Sequence, residues 1–378
     1  MAGLYFHIPY CRRRCPYCSF VSFDAHQVSP YEYLSALLAE LETVSRIPEV
    51  CAIDWDTIYF GGGTPSIFPP GHIRALMDRS SVLFPVLKSG AEVTLEANPE
   101  SVDLERLCIL RDIGVNRISL GFQSLDDTGL AFLGRIHTAL DALHAYEAAR
   151  KAGFANIGVD LIYGWPGQDP ETWRRELEEV IRLGPEHISC YELTIEDGTQ
   201  FAHLLSCGDL VLPQEETVLA LSDLADSLLT EHGYEHYEIS NFARPGFRSR
   251  HNMNYWSNGA YIGLGCAAVS CIPPLRRKNT ADLVFYREAV CSFRSPVIFE
   301  ETLDNEARFR ETVVLALRTR EGFTRRGLLE RFGIDPVDYY GDVMDLFLRE
   351  GLIESDGDAV YLTPQGRNIA NTVMAAFV

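Results

Sequence analysis

Basic charge is scarce in this sequence. Its 378 residues hold 33 Lys and Arg against 53 Asp and Glu, a formal net charge of −20. The molecule as a whole is therefore repelled by a phosphate backbone or an anionic bilayer, and nucleic acid is not expected as a partner. Lysine is nearly missing: only Lys88, Lys151 and Lys278 stand among the arginines, a skew that carries no function. Nothing reads as a membrane span. The one long uncharged stretch, between Arg250 and Arg276, is broken by Asn252, Asn254, Ser257, Asn258, three glycines and Pro273-Pro274, whereas a bilayer helix needs about 20 apolar residues in succession. Peripheral contact with a membrane stays open. His7 and Arg12 to Arg14 interrupt any apolar core of a secretion signal, so a cytoplasmic location is expected. Low-complexity segments are absent, and 47% apolar with 23% charged residues is ordinary globular composition, which excludes a disordered or collagen-like chain.

What is present is a repeating unit of a short β-rich run, a Gly or Pro turn and an amphipathic helix, at intervals of roughly 30 to 40 residues. Strands are predicted at 4–8, 57–60, 92–96, 117–121, 156–162 and 187–193, with a weaker seventh at 235–239. Helices are predicted at 31–44, 72–83, 104–113, 139–151, 171–183 and 215–232. Strict alternation indicates a parallel sheet with right-handed crossovers, doubly wound or rolled into a full or partial barrel. Residues 1–240 form this β/α core. Residues 241–304 read as a loop-rich, aromatic connecting segment with one helical stretch. Residues 305–378 read as helices followed by a short hairpin and a last helix, a small α+β domain resembling a winged helix. With 9 basic and 12 acidic side chains, that domain suits partner docking or a structural role better than DNA.

Polar and glycine-rich signals gather where the predicted strands end, the edge at which parallel α/β folds bind ligands. The first strand runs into Cys11-Arg12-Arg13-Arg14-Cys15-Pro16-Tyr17-Cys18. A structural zinc site would need a fourth ligand, and no second cysteine pair lies nearby; His7 would serve only if it turned into the loop. A disulfide would leave one cysteine over. Three cysteines on an iron–sulfur cubane leave one iron open for a cofactor bearing an amine and a carboxylate, and this is the preferred reading. Cys51, Cys108, Cys190, Cys207 and Cys291 sit alone in apolar segments and read as core filler. Gly61-Gly62-Gly63-Thr64-Pro65 follows the second strand; alone it would be a plain strand-to-helix turn.

C-x3-C-x2-C after the first strand of a β/α barrel resembles the radical S-adenosylmethionine (SAM) enzymes. More narrowly, residues 4–9, Cys15-Pro16-Tyr17-Cys18, residues 61–66, Leu95-Glu96-Ala97-Asn98-Pro99, Gln123-Ser124, Leu133-Gly134-Arg135 and Asp160-Leu161-Ile162-Tyr163-Gly164 resemble the oxygen-independent coproporphyrinogen III oxidase family over nearly the whole chain. The resemblance implies a partial (β/α)6 barrel with a winged C-terminal domain, a 4Fe–4S cluster on Cys11, Cys15 and Cys18, and SAM contacted by Tyr5, Tyr17, Gly62, Gly63, Thr64, Glu96, Gln123, Arg135 and Asp160. The residue types agree: Glu96 and Asp160 accept from ribose hydroxyls or the amine, Arg135 pairs with a carboxylate, and Tyr5 and Tyr17 pack on the sulfonium or adenine. The bland counterpart is an internal ion-pair network of Glu96, Arg135 and Asp160.

Within that family the dehydrogenases carry a fourth cysteine two residues after the third and a longer N-terminal segment. Here that position is Phe20, and ten residues precede Cys11. The resemblance is therefore to the HemW-type heme chaperone branch. That branch implies heme and heme-acceptor proteins as partners, together with a cellular electron donor. His251-Asn252-Met253-Asn254-Tyr255-Trp256 matches its H-N-x-x-Y-W heme motif, assigning His251, Asn252, Tyr255 and Trp256 to heme; imidazole can ligate iron while flat rings cover the macrocycle. Without the resemblance the same residues read as a buried aromatic corner. Where the family usually has Gly-Ala-His-Ser, this chain has Ala267-Ala268-Val269-Ser270, losing a polar side chain at Val269 and leaving Cys266 as the nearest soft donor. The alternative function is oxidative decarboxylation of coproporphyrinogen III to protoporphyrinogen.

Overall fold

The computed structural model describes residues 1–23, 28–84 and 90–378. Six strands lie side by side in chain order, all parallel: β1 (Ala2–Ile8), β2 (Thr57–Gly62), β3 (Glu92–Ala97), β4 (Arg117–Gln123), β5 (Ile157–Tyr163) and β6 (His187–Glu192). Strand side chains alternate between faces, and the register sorts them by chemistry. One face carries Leu4, Phe6, Ile58, Phe60, Leu95, Ile118, Leu120, Val159, Leu161 and Ile188, all fully buried. The helices cover this face: Pro30–Val44, Pro70–Leu83, Leu104–Ile113, Ala139–Lys151, Pro170–Leu183 and Glu215–Glu231. Phe6 and Phe60 stack there at 5.0 Å, each side chain worth roughly 1.5–3 kcal/mol on burial. The other face carries Tyr5 opposite Tyr59, Glu96 opposite Ser119, and Asp160 between Gly121 and Ser189, so these polar groups lie on the side away from those helices.

The helices begin and end on local signals. Ser29 and Glu32 close a capping box, as do Thr138 and Asp141, and Gly114 and Gly184 end two helices in the left-handed conformation. The six predicted helices and six predicted strands are present with shifted ends. The seventh strand is different. β7 (Glu235–Glu238) is antiparallel to β8 (Asn241–Ala243), which is antiparallel to β6, because Ile239-Ser240 between them is a two-residue turn, too short for a parallel crossover.

The segment expected to be loop-rich extends the sheet on its other edge. Helix Arg250–Trp256 leads to β9 (Ala260–Leu264), parallel to β1, followed by the antiparallel strands β10 (Val269–Ile272), β11 (Leu275–Asn279) and β12 (Val297–Thr302). The outer strands of this extension are charged and lack a clean period: β11 reads LRRKN and the edge strand β12 VIFEET. After residue 304 come helices Asn305–Ala316, Arg325–Phe332 and Pro336–Arg349 and a three-stranded sheet of β13 (Phe323–Thr324), β14 (Ile353–Ser355) and β15 (Ala359–Leu362), ordered β13-β15-β14. Phe309, Tyr340, Phe347 and Phe377 centre a separate core there. Arg331 donates to the Ser257 and Asn258 carbonyls, tying this unit to the turn between helix Arg250–Trp256 and β9. Among the described residues, no helix is long and apolar enough to cross a membrane.

Candidate cofactor site at the strand ends

The cysteine loop leaves β1 at Pro9 and is pinned at both ends. Phe23 N–H donates to the Pro9 carbonyl at 2.6 Å, Cys11 N–H to Phe23 at 3.3 Å, and Cys18 N–H back to Cys15 at 3.1 Å. The glycine run of β2 lies directly beneath, with Gly63 N–H donating to Ile8 at 2.9 Å and Thr64 N–H to Tyr10 at 2.7 Å. Only glycine permits this contact: a Cβ on Gly62, at φ +112°, would sit 2.6 Å from the His7 ring, and one on Gly63 would sit 2.7 Å from the Tyr10 carbonyl. Thr64 Oγ1 lies 3.4 Å from Cys11 Sγ and accepts from Asn98 Nδ2 at 3.0 Å.

A cavity of 440 Å3 opens here. Its wall brings together Cys11, Cys15, Cys18, Tyr17, Gly62, Gly63, Thr64, Glu96, Gln123, Arg135 and Asp160, every sequence-predicted cluster or SAM residue except Tyr5. Gln123 reaches it from a left-handed residue, φ +66°, at a register break in β4, a strained conformation of the kind that re-aims a side chain at a site. Sequence reasoning missed Ser119, Phe20 as a wall residue, and Tyr191; the period-2 register of the inward face was the signal that could have found Ser119 and Tyr191.

The charged members do not pair with one another. Glu96 accepts from Tyr59 Oη at 2.7 Å and Gly62 N–H at 3.2 Å. Asp160 accepts from the Ser189 hydroxyl at 2.6 Å and Ser119 at 3.1 Å. Arg135 directs Nη1 at Cys15 Sγ, 3.4 Å away, while its Nε is buried without a partner. The internal ion-pair network is thus not realised among the described residues. Burial pushes Glu96 up to about 7 and raises Asp160, each offset in part by the hydrogen bonds it accepts. Two acids and an arginine held apart in one cavity match a ligand carrying an amine, hydroxyls and a carboxylate.

Burial also pushes the Cys11 and Cys18 thiols up, so taking up metal would release protons. Among the described residues, no three His, Cys, Asp or Glu side chains close on a common point as a single ion demands. Three thiols sharing the wall of a larger chamber suit a cluster in which each binds its own iron.

The H-N-x-x-Y-W motif lies elsewhere. His251 is buried in helix Arg250–Trp256, with Nδ1 2.7 Å from Thr57 Oγ1, Nε2 2.9 Å from Tyr255 Oη, and its ring stacked on Tyr59 at 4.9 Å. Burial lowers its pKa to about 3. His251, assigned to heme from the sequence, has both ring nitrogens hydrogen-bonded and lines neither this cavity nor the one beside it. Asn252 lines neither of the two cavities, whereas Tyr255, Trp256, Val269 and the misplaced Tyr5 line a second one. Cys266 is no replacement donor, being fully buried with its thiol on the Thr280 carbonyl at 3.3 Å. The core-filler reading fails for Cys51, Cys207 and Cys291. Each is exposed at the last residue of a helix, where the chain leaves the buried stripe. All ten cysteines are free.

Comparison with known proteins agrees with this architecture. The Radical SAM superfamily profile matches residues 5–180 and the HemN C-terminal domain profile residues 303–369. The chain is 34% identical to the heme chaperone HemW of Bacillus subtilis, covering 100% of this chain and 99% of that protein. It is 36% identical to the heme chaperone HemW of Mycobacterium tuberculosis, covering 98% and 93%. The solved coproporphyrinogen III oxidase of Escherichia coli, a radical SAM enzyme, superposes over 100% of this chain and 89% of its own with a TM-score of 0.85 at 24% identity, a likeness of fold.

Proposed function

Because the chain belongs to the HemW family, within the radical SAM superfamily, we propose that it is a cytoplasmic heme chaperone that binds a 4Fe–4S cluster, SAM and heme and passes heme to client proteins. The observation that supports this most is the single cavity in which three thiols meet two buried acids and an arginine that has an unsatisfied N–H. Cys11, Cys15 and Cys18 would hold three irons. The cluster, when bound, supplies one-electron chemistry and an open iron for SAM. Arg135 would neutralise the SAM carboxylate, Glu96 the ammonium, and Asp160 with its two serines would order ribose hydroxyls. Gly62 and Gly63 keep the loop close enough to the β2 backbone for these contacts to share one chamber. Phe20, where the dehydrogenases have a further cysteine, is 62% exposed at the cavity mouth and contributes an apolar surface in place of a metal donor. Residues 1–240 would hold the cluster and SAM, 241–304 carry the heme motif, and 305–378 would dock partners.

The test is an anaerobic assay of the reconstituted full chain with SAM, a strong reductant and coproporphyrinogen III, scored by chromatography. The heme-carrier reading predicts no protoporphyrinogen from protein whose cluster is intact, and a shifted Soret band on adding hemin. Protoporphyrinogen at more than one turnover would instead make the chain a dehydrogenase.

A further inference from the structure

Beside the cysteine loop lies a second cavity, of 520 Å3, inside the range of about 300 to 1,000 Å3 typical of small-molecule sites. Tyr5 of β1, Tyr255 and Trp256 of the motif helix, Tyr261 of β9, Val269 of β10 and Lys278 of β11 supply its walls. The chamber is aromatic: Tyr255 and Tyr261 meet edge to face at 4.7 Å, and the Arg318 guanidinium lies 4.4 Å over the far-reaching Trp256 indole. Trp256 Nε1 is buried without a partner. Arg276, which is fixed by Glu311, and the exposed Lys278 add positive charge along one strand. Ser19 and Phe20 border both cavities, so the two chambers adjoin.

Flat rings, an unspent N–H donor and the Lys278 cation, beside an Arg276 already paired with Glu311 on the same wall, select a planar apolar ring system with carboxylate at its edge. A carboxylated tetrapyrrole is that ligand. His7 itself lines this cavity and His251 lies behind it, but both imidazoles are engaged. His7 Nε2 donates to the Val21 carbonyl at 3.0 Å, and its Nδ1 lies 3.0 Å from Tyr5 Oη. His251 is held between Thr57 and Tyr255.

Taking the heme-carrier reading as premise, we infer that this cavity is the tetrapyrrole site and that it grips the macrocycle through its rings and carboxylates, with no histidine on the iron. Such a site releases its cargo without breaking an iron–imidazole bond, which suits hand-over. It also does not distinguish metal-free porphyrin from hemin.

The experiment titrates hemin and metal-free protoporphyrin IX into the full chain, by absorbance and by tryptophan quenching, for the parent and for Val269→Trp and Lys278→Glu. Val269→Trp fills the chamber without removing any polar group; Lys278→Glu reverses one cation on an exposed residue. The expected result is that both ligands bind the parent with affinities within about threefold of each other, roughly 0.6 kcal/mol. Val269→Trp should weaken both by about tenfold or more and Lys278→Glu by severalfold, with unchanged circular dichroism. Hemin binding that both variants leave intact would place the site elsewhere and overturn this inference alone. Metal-free porphyrin binding more than about tenfold weaker than hemin would show iron ligation and overturn it likewise. A parent that binds neither ligand overturns the inference and the heme-carrier reading together. Should Val269→Trp fail to fold, Lys278→Glu decides the location.

Discussion

Glu96 sets the pH response of the strand-end cavity. Burial raises its carboxyl to about 7, so both protonation states are within reach near neutrality. A ligand ammonium favours the ionised form, and SAM affinity should therefore rise with pH through that value. We expect SAM to bind about tenfold more weakly at pH 6 than at pH 8, as measured by equilibrium dialysis against the reconstituted chain, with Glu96→Gln flattening the profile. A flat profile in the parent would remove Glu96 from the amine. The thiols make a sharper case. Cys11→Ala, Cys15→Ala or Cys18→Ala should each reduce iron and acid-labile sulfide after reconstitution to background, because two thiolates leave two irons unheld. The same substitution at exposed Cys291 should change neither.

Elements, more than single residues, decide what was legible beforehand. Parallel strands buried on both faces read as continuous β-rich runs, so β1 to β6 and their helices were visible in the sequence. So was the cavity's composition, since strand ends carry the ligand-binding residues of such folds. The added strands β9 to β12 were not, because half-exposed strands lack that continuity. Tyr5 and Tyr17 seemed equivalent on paper, but Tyr5 sits within β1 and faces Tyr59 and His251, whereas Tyr17 sits in the loop. Nothing local in the sequence revealed that Thr57, 194 positions away, would hydrogen-bond the His251 ring. Beyond the pairing of β9 with β1, one buried carboxylate ties the added strands to the helical layer. Glu40, on helix Pro30–Val44, accepts from Gly265 N–H at 2.8 Å, Asn279 Nδ2 at 2.6 Å and Tyr286 Oη at 2.6 Å. Glu40→Ala leaves those buried donors unsatisfied, and we expect a loss of about 3 kcal/mol in urea unfolding. A loss under about 1 kcal/mol would mean that water replaces the carboxylate. Gly63→Ala, which pushes a Cβ against the Tyr10 carbonyl, should lower the melting temperature and the iron content together.

At the scale of the whole molecule, opposing titrations share one pH window. Burial raises Glu40, Glu96 and Glu176 to about 7, so the folded state binds extra protons above the ordinary carboxylate range and loses stability as pH climbs through 7. Burial lowers His7, His187 and His251, so the unfolded state binds extra protons below the ordinary imidazole pKa and stability grows as pH rises toward it. The slopes oppose between about pH 5 and 6.5, and the melting temperature should stay nearly level there, as scanning calorimetry would record. A steep rise would show that the imidazoles dominate. The central claim is that the chain transfers heme to another protein. It is tested most directly by stopped-flow absorbance of the hemin-loaded chain mixed with increasing concentrations of an apo-heme protein. The account predicts that the transfer rate rises with acceptor concentration, as direct hand-over requires. A rate independent of acceptor would mean that heme merely dissociates, and would contradict it.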